Sequence, residues 1–260
     1  MAGYAFGSNP PYGLTAATLR RDREWRGASL ALISLPLTSS PARMHASNTL
    51  WAEAQKMRPG SAQWWMGAAF GANLLLAAAI LATRGFGIDG TLLALDATAR
   101  VAFVLFWSAY SGGALTTLFG PAFLPLKQLG RELGLAFAAA LLVHLGLVSW
   151  LCWIGSVPPI AVFLFFGPVA IITFVLARLS FGNLHTILGP KLWQLLRTIG
   201  MNVILYAFLK DFMQDPLHGG IWHFVEYLPF TATAIAAPLL RLAAWAMRLR
   251  ETRLNLHSAR

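Results

Sequence analysis

The sequence predicts an all-α integral membrane protein: a six-transmembrane-helix bundle with both termini in the cytoplasm. Three observations predict this fold class. Hydrophobic residues make up 57% of the 260 positions and charged residues only 12%, whereas a soluble domain carries roughly 25% charged residues. Six apolar segments reach or approach the ~20 residues that a helix needs to cross a bilayer. Most basic residues fall on one side of these segments, as the positive-inside rule requires.

The chain divides into three parts by composition. Residues 1–62 are rich in Pro, Ser, Thr and Arg, and their apolar run at 28–37 is too short to span a bilayer. We expect a cytoplasmic arm that is partly disordered or bound to a partner. A signal peptide is the alternative, although its apolar stretch would begin unusually late. Residues 63–248 form the membrane domain, and 249–260 form a basic C-terminal tail.

The membrane domain contains the six predicted spans. They are residues 64–83, 98–118, 131–153, 159–176, 195–213 and 221–247. Each span must be helical because hydrocarbon offers no hydrogen-bond partner to a free backbone group. Pro229 and Pro238 should bend the last helix, since proline cannot donate the hydrogen bond of a regular helix.

Basic residues orient the bundle. Seventeen of the twenty lie on the side that contains both termini, which leaves Arg84, Arg100 and Lys210 on the other side. This asymmetry predicts cytoplasmic termini in a multi-pass protein of a bacterial inner membrane. The net charge of +10 is therefore explained by contact with the lipid bilayer, and no nucleic acid partner is expected.

His144 is the first candidate for chemistry. The single cysteine, Cys152, excludes an internal disulfide and a cysteine-based metal cluster, and no soluble-enzyme motif is present. His144 lies about 20 Å along the third span, at 1.5 Å per residue, and a histidine at that depth is a functional-site hypothesis. His223 and Lys210 lie at a similar level. If their helices are neighbours, the three side chains converge. Imidazoles on facing helices hold b-type haem; a hydrogen bond to a neighbouring carbonyl or hydroxyl is the alternative.

Two further polar pairs stand one helical turn apart. Asp96 and Arg100 predict a mutually neutralised surface pair at the start of the second span. Asn202 and Tyr206 lie on one face of the fifth span, where polar side chains commonly hydrogen-bond across helices.

The order of these elements resembles a known family. The similarity lies in the start of the third span (Arg131, then Leu133-Gly134-Leu135) with His144 late in it, in Leu188-Gly189 and Trp193, and in Arg197-Thr198-Ile199-Gly200. Over residues 90–213 the chain resembles the ferric reductase-like transmembrane domain. Within that family it is similar to the haem-binding membrane subunits of bacterial methionine sulfoxide reductase systems.

The resemblance implies a six-helix bundle that carries b-type haem and passes electrons across the membrane. In the family, the fifth helix supplies histidines at the positions of Arg197 and Lys210. Because a guanidinium has no lone pair to give to iron, Arg197 excludes an inner haem. At most one haem b remains, near the outer face, with its iron bound by His144 and by Lys210 or His223.

Two functions are compatible with a chain that lacks these two histidines. In the first, the chain is the membrane electron-transfer subunit of an oxidoreductase. Since the sequence contains no flavin or nicotinamide site, a protein partner must then supply or accept the electrons. In the second, the chain is a haem-less accessory or assembly subunit of a larger membrane complex. Arg197 and Lys210 would then attract lipid phosphates or the carboxylates of a partner.

Overall fold

Six long helices make up most of the part of the protein that the computed structural model describes. The structure describes residues 61–181, 188–218 and 220–258. The predicted arm, residues 1–62, therefore lies almost entirely outside the described residues. We label the long helices α1 to α6: Ser61–Arg84, Ile88–Phe119, Gly130–Trp153, Ile160–Phe181, Pro190–His218 and Gly220–Ser258. A 3-10 turn, Pro121–Phe123, and a short helix, Leu124–Gln128, connect α2 to α3.

All six long helices are long and apolar enough to cross a membrane, which confirms the predicted multi-pass integral membrane protein. The bounds of α3 agree with the prediction to within one residue at its start. The start of α2 differs, because the helix begins at Ile88 and not at residue 98. The predicted C-terminal tail continues α6 as helix as far as Ser258.

The early start of α2 has a packing reason. Gly85, with a φ of +91°, adopts the left-handed conformation that commonly ends a helix, and the chain turns there into α2. Thr91 and Ala94, in the first turns of α2, are fully buried. Asp89 and Asp96 therefore belong to a helix that packs against its neighbours from its first turns. In the sequence, their charges suggest that the apolar span begins only after them.

Helices α2 and α3 are the centre of the bundle. Helix α2 contacts α1, α3 and α6, while α3 contacts α1, α2 and α4, and α5 packs between α4 and α6. A run of small residues on α3, Ala138 to Ala140, is almost fully buried. Small side chains let helix backbones approach closely, which is the main source of attraction between helices in lipid.

Two apolar clusters hold the helices together. The smaller cluster joins α1, α2 and α3 through Ala77, Leu81, Ala94, Val143 and Leu147. The larger cluster extends over α2 to α6 and is rich in aromatic residues.

Candidate functional site

His144 of α3 is hydrogen-bonded to the neighbouring helix α2. Its Nδ1 lies 3.2 Å from Oγ1 of Thr98. That hydroxyl already donates its single hydrogen to the carbonyl oxygens of Ala94 and Leu95, at 2.9 and 3.0 Å. With its hydrogen directed to these carbonyls, the hydroxyl is the acceptor in the tautomer of His144 that carries its proton on Nδ1. In that tautomer the free lone pair of the neutral imidazole is on Nε2.

Lys210 and His144 contact different helices. The Nζ atom of Lys210, on α5, lies 3.8 Å from the centre of the Phe165 ring on α4, where the ring face attracts the ammonium group. His144 instead contacts α2. The backbone of His223 belongs to α6, but its side chain lies outside the described residues. The predicted convergence of the three side chains therefore stays a prediction.

Phenylalanine rings occupy the centre of the bundle. Phe103 of α2 lies 5.0 Å from Phe212 and 5.3 Å from Phe208, both on α5, as measured between ring centres. Phe106 lies 5.3 Å from Phe137 of α3 and 5.6 Å from Phe208. Such spacings are those of aromatic rings in direct contact. Side chains therefore already fill the region where α2, α3 and α5 meet.

Among the side chains that the structure describes, there is no complete pair of axial ligands for a b-type haem; the side chain of His223 lies outside the described residues. A haem held between helices needs two axial ligands with lone pairs on opposite sides of a flat space. His144 has one nitrogen to offer, Arg197 has none, and the ammonium group of Lys210 lies on a phenylalanine ring. Among the residues that the structure describes, no three His, Cys, Asp or Glu side chains are grouped to hold a metal ion.

The other polar pairs also connect helices. The hydroxyl of Tyr110 on α2 donates to Oδ1 of Asn202 on α5 at 2.8 Å. Asn202 thus bonds across helices as expected, but its partner is Tyr110, while the Tyr206 ring lies 6.0 Å from that of Phe165.

Arg100 forms its ion pair with another helix. Its Nη2 atom lies 2.7 Å from Oε1 of Glu226 on α6, and its guanidinium lies over the ring of Tyr227, 4.8 Å from the ring centre. The sequence analysis paired Arg100 with Asp96 on its own helix. The ion pair with Glu226 forms because α6 packs directly against α2, which periodicity along a single helix does not reveal.

Replacing Thr98 by Val should destabilise the bundle by a modest amount. The change keeps the shape of the side chain and removes the hydroxyl that contacts His144, which keeps the backbone of Leu95 as a hydrogen-bond partner. We expect a loss of about 0.6 kcal/mol, and at most about 1.7 kcal/mol, which is the range for hydrogen bonds between membrane helices. Thermal or denaturant unfolding in detergent measures it. The double variant Thr98→Val, His144→Leu should recover most of the loss, because it removes both partners; a double variant less stable than Thr98→Val would contradict this assignment.

Sequence reasoning missed a cavity at the other end of α3. The cavity has a volume of about 250 Å³ and lies between α2, α3, α4 and α5. Arg131 and Arg197 are among its lining residues, with Trp193 beside them. These three residues are already named in the sequence analysis among those on which the family resemblance depends. That was the signal in the sequence that could have pointed to this site. Their convergence depends on the packing of α4 between α3 and α5, which no local motif contains.

Comparisons with protein-family models, with curated proteins and with solved structures found no match for this chain. The resemblance to the ferric reductase-like domain therefore depends on the short motifs of the sequence analysis alone.

Proposed function

We propose that this chain is a haem-less accessory or assembly subunit of a larger membrane complex. It would be a degenerate ferric reductase-like bundle in a bacterial inner membrane, with both termini in the cytoplasm. The observation that carries this proposal is the filled centre of the bundle. Phe103, Phe106, Phe137, Phe208 and Phe212 pack against each other where α2, α3 and α5 meet.

The polar residues of the membrane helices support the same proposal. The hydrogen bond between Thr98 and His144 connects α2 to α3, and that between Tyr110 and Asn202 connects α2 to α5. The ion pair of Arg100 connects α2 to α6. Each of these groups thus holds helices together, which is the chemistry of a structural subunit and not that of a redox relay.

One observation favours a second candidate function, electron transfer through a single haem b near the outer face. In the tautomer of His144 that donates from Nδ1 to Thr98, Nε2 keeps a lone pair that can bind a metal. Histidines that bind metals commonly have their other ring nitrogen engaged in this way. The second axial ligand would have to come from Lys210 or His223.

A deletion and complementation experiment separates the two candidates. The gene is deleted in the source organism, and membrane complexes are compared on native gels with identification by mass spectrometry. We expect one complex to be lost or to become smaller. Wild-type protein should restore it, and so should the double variant Thr98→Val, His144→Leu, because an accessory subunit does not need the imidazole.

Two results would contradict the accessory function. The first is an unchanged set of membrane complexes after deletion. The second is a double variant that accumulates in the membrane at wild-type levels and still fails to complement. That second result would assign a chemical function to His144 and favour electron transfer.

A further inference from the structure

The cavity between α2, α3, α4 and α5 combines an apolar interior with a cationic edge. Phe106, Phe137 and Leu176 are buried and line its interior, whereas Arg131 and Arg197 are exposed at its edge. Its volume, about 250 Å³, is below the roughly 300–1,000 Å³ of sites for drug-sized ligands. A single narrow apolar chain is the kind of group that this space accommodates.

The edge of the cavity coincides with the ends of three helices. Arg131 lies in the first turn of α3, Ser180 in the last turn of α4 and Trp193 in the first turn of α5. All three line the cavity. Because the ends of spanning helices lie near the headgroups, the edge is at the level of lipid phosphates and the interior is at the level of acyl chains. This is the end of the bundle that the charge pattern predicts to be cytoplasmic.

The two arginines at the edge differ in how they are held. Nη2 of Arg131 donates to the carbonyl oxygens of Ser180 and Phe181, at 2.8 and 3.2 Å, so its guanidinium is fixed beside the end of α4. In the part of the chain that the structure describes, Arg197 makes no hydrogen bond or ion pair.

An anion at Arg197 would give this guanidinium a partner of opposite charge. A phosphate group is well matched to the site, because a guanidinium can donate two parallel hydrogen bonds to phosphate oxygens. Basic pockets between membrane helices bind the headgroups of anionic lipids for this reason.

We propose that this cavity binds one anionic phospholipid of the cytoplasmic leaflet. The phosphate lies at Arg197 and Arg131, and one acyl chain enters the apolar interior between α3, α4 and α5. The proposal does not depend on the function proposed above, because the phosphate would lie at Arg131 and Arg197, and Arg131 is 13 positions before His144 on α3, more than three helical turns.

Native mass spectrometry of the full-length protein in detergent tests this site. Phosphatidylglycerol and phosphatidylcholine with the same acyl chains are titrated in parallel. We expect one saturable phosphatidylglycerol per chain and weaker binding of phosphatidylcholine. Arg197→Gln should weaken the binding of phosphatidylglycerol about fivefold, as expected for the loss of one cation near the membrane surface. Lys127→Gln is the matched control: it removes an exposed cation from the short helix before α3 and should bind lipid as wild type does.

Gly134→Leu tests the apolar interior separately. Gly134 lines the cavity, and a Cβ atom added there would meet no atom within 4 Å. The larger side chain should therefore occupy the cavity without disturbing the backbone. We expect saturable binding of phosphatidylglycerol to be lost while the midpoint of thermal unfolding stays at the wild-type value.

Two outcomes would overturn the proposal. Equal binding of both lipids, with no change in Arg197→Gln, would show that the arginines do not select a headgroup. Displacement of phosphatidylglycerol by inorganic phosphate, together with unchanged binding in Gly134→Leu, would show a site for free phosphate and no acyl-chain site.

Discussion

Phe103→Ala should destabilise the bundle by about 3 kcal/mol, the largest effect that we expect of a single substitution. Truncating a buried phenylalanine typically costs about 3–5 kcal/mol through lost contacts and the cavity that remains. We expect the lower end of this range. The helices stay in lipid or detergent when they separate, so the removal of the ring from water contributes little to the cost. Phe103 is 1% exposed and contacts Phe208, Phe212 and Phe230.

Unfolding in detergent, followed by circular dichroism or by the reactivity of Cys152, measures the effect of Phe103→Ala. Phe70→Ala is the matched control, because Phe70 is 41% exposed on α1 and does not belong to the aromatic cluster. Its stability should stay close to the wild-type value. Equal losses in the two variants would show that the rings around Phe103 are not the packed centre of the bundle.

Gly112→Ala and its neighbour Gly113→Ala should have opposite effects. A Cβ atom at Gly112 would lie 2.9 Å from the backbone oxygen of Leu126, whereas one at Gly113 would meet no atom within 4 Å. Backbone cannot move aside as a flexible side chain can, so Gly112→Ala should cost about 1–3 kcal/mol through overpacking. Gly113→Ala should stabilise α2 by up to about 1 kcal/mol, because alanine is the better helix former.

The same unfolding measurement compares the two glycine variants. Because both changes add one methyl group to adjacent positions of one helix, they differ in surroundings alone. A Gly112→Ala variant as stable as Gly113→Ala would mean that the short helix after α2 does not pack against it at Leu126.

The six membrane helices could be predicted from the sequence, because the length and hydropathy of a segment are local properties. Helix α3 was predicted to within one residue, since Arg131 and Trp153 border a continuous apolar run. The start of α2 was placed too late because charges at Asp89 and Asp96 interrupt its apolar pattern. That segment is helical all the same, with Thr91 and Ala94 buried in the bundle.

The partners of the polar residues were beyond sequence reasoning. Periodicity tells which residues share a face of a helix, but not which helix lies opposite. The sequence therefore predicts a pair between Arg100 and Asp96 on one helix. The observed partner of Arg100 is Glu226, 126 positions further along the chain. In the same way, the hydroxyl that bonds to His144 comes from Thr98, 46 positions earlier. The choice between a hydrogen bond and a metal ligand was open in the sequence for that reason.

The position of Arg197 connects the two proposals. The resemblance to the ferric reductase-like family implies a histidine ligand at this position, whereas this chain has a guanidinium beside an apolar cavity. A guanidinium cannot bind iron but binds phosphate well, so the same residue supports both the haem-less function and the lipid site that we propose. The filled aromatic centre and the cationic cavity thus support one account, and Phe106 and Phe137 belong to both.

The visible spectrum of the purified protein tests this account most directly. The full-length chain is produced in cells supplied with excess haem precursor, and the haem-to-protein ratio is measured with and without dithionite. The account predicts a colourless protein, with haem far below one per chain. A Soret band and reducible α and β bands at one haem per chain, present in Thr98→Val and absent in the equally stable His144→Leu variant, would contradict it.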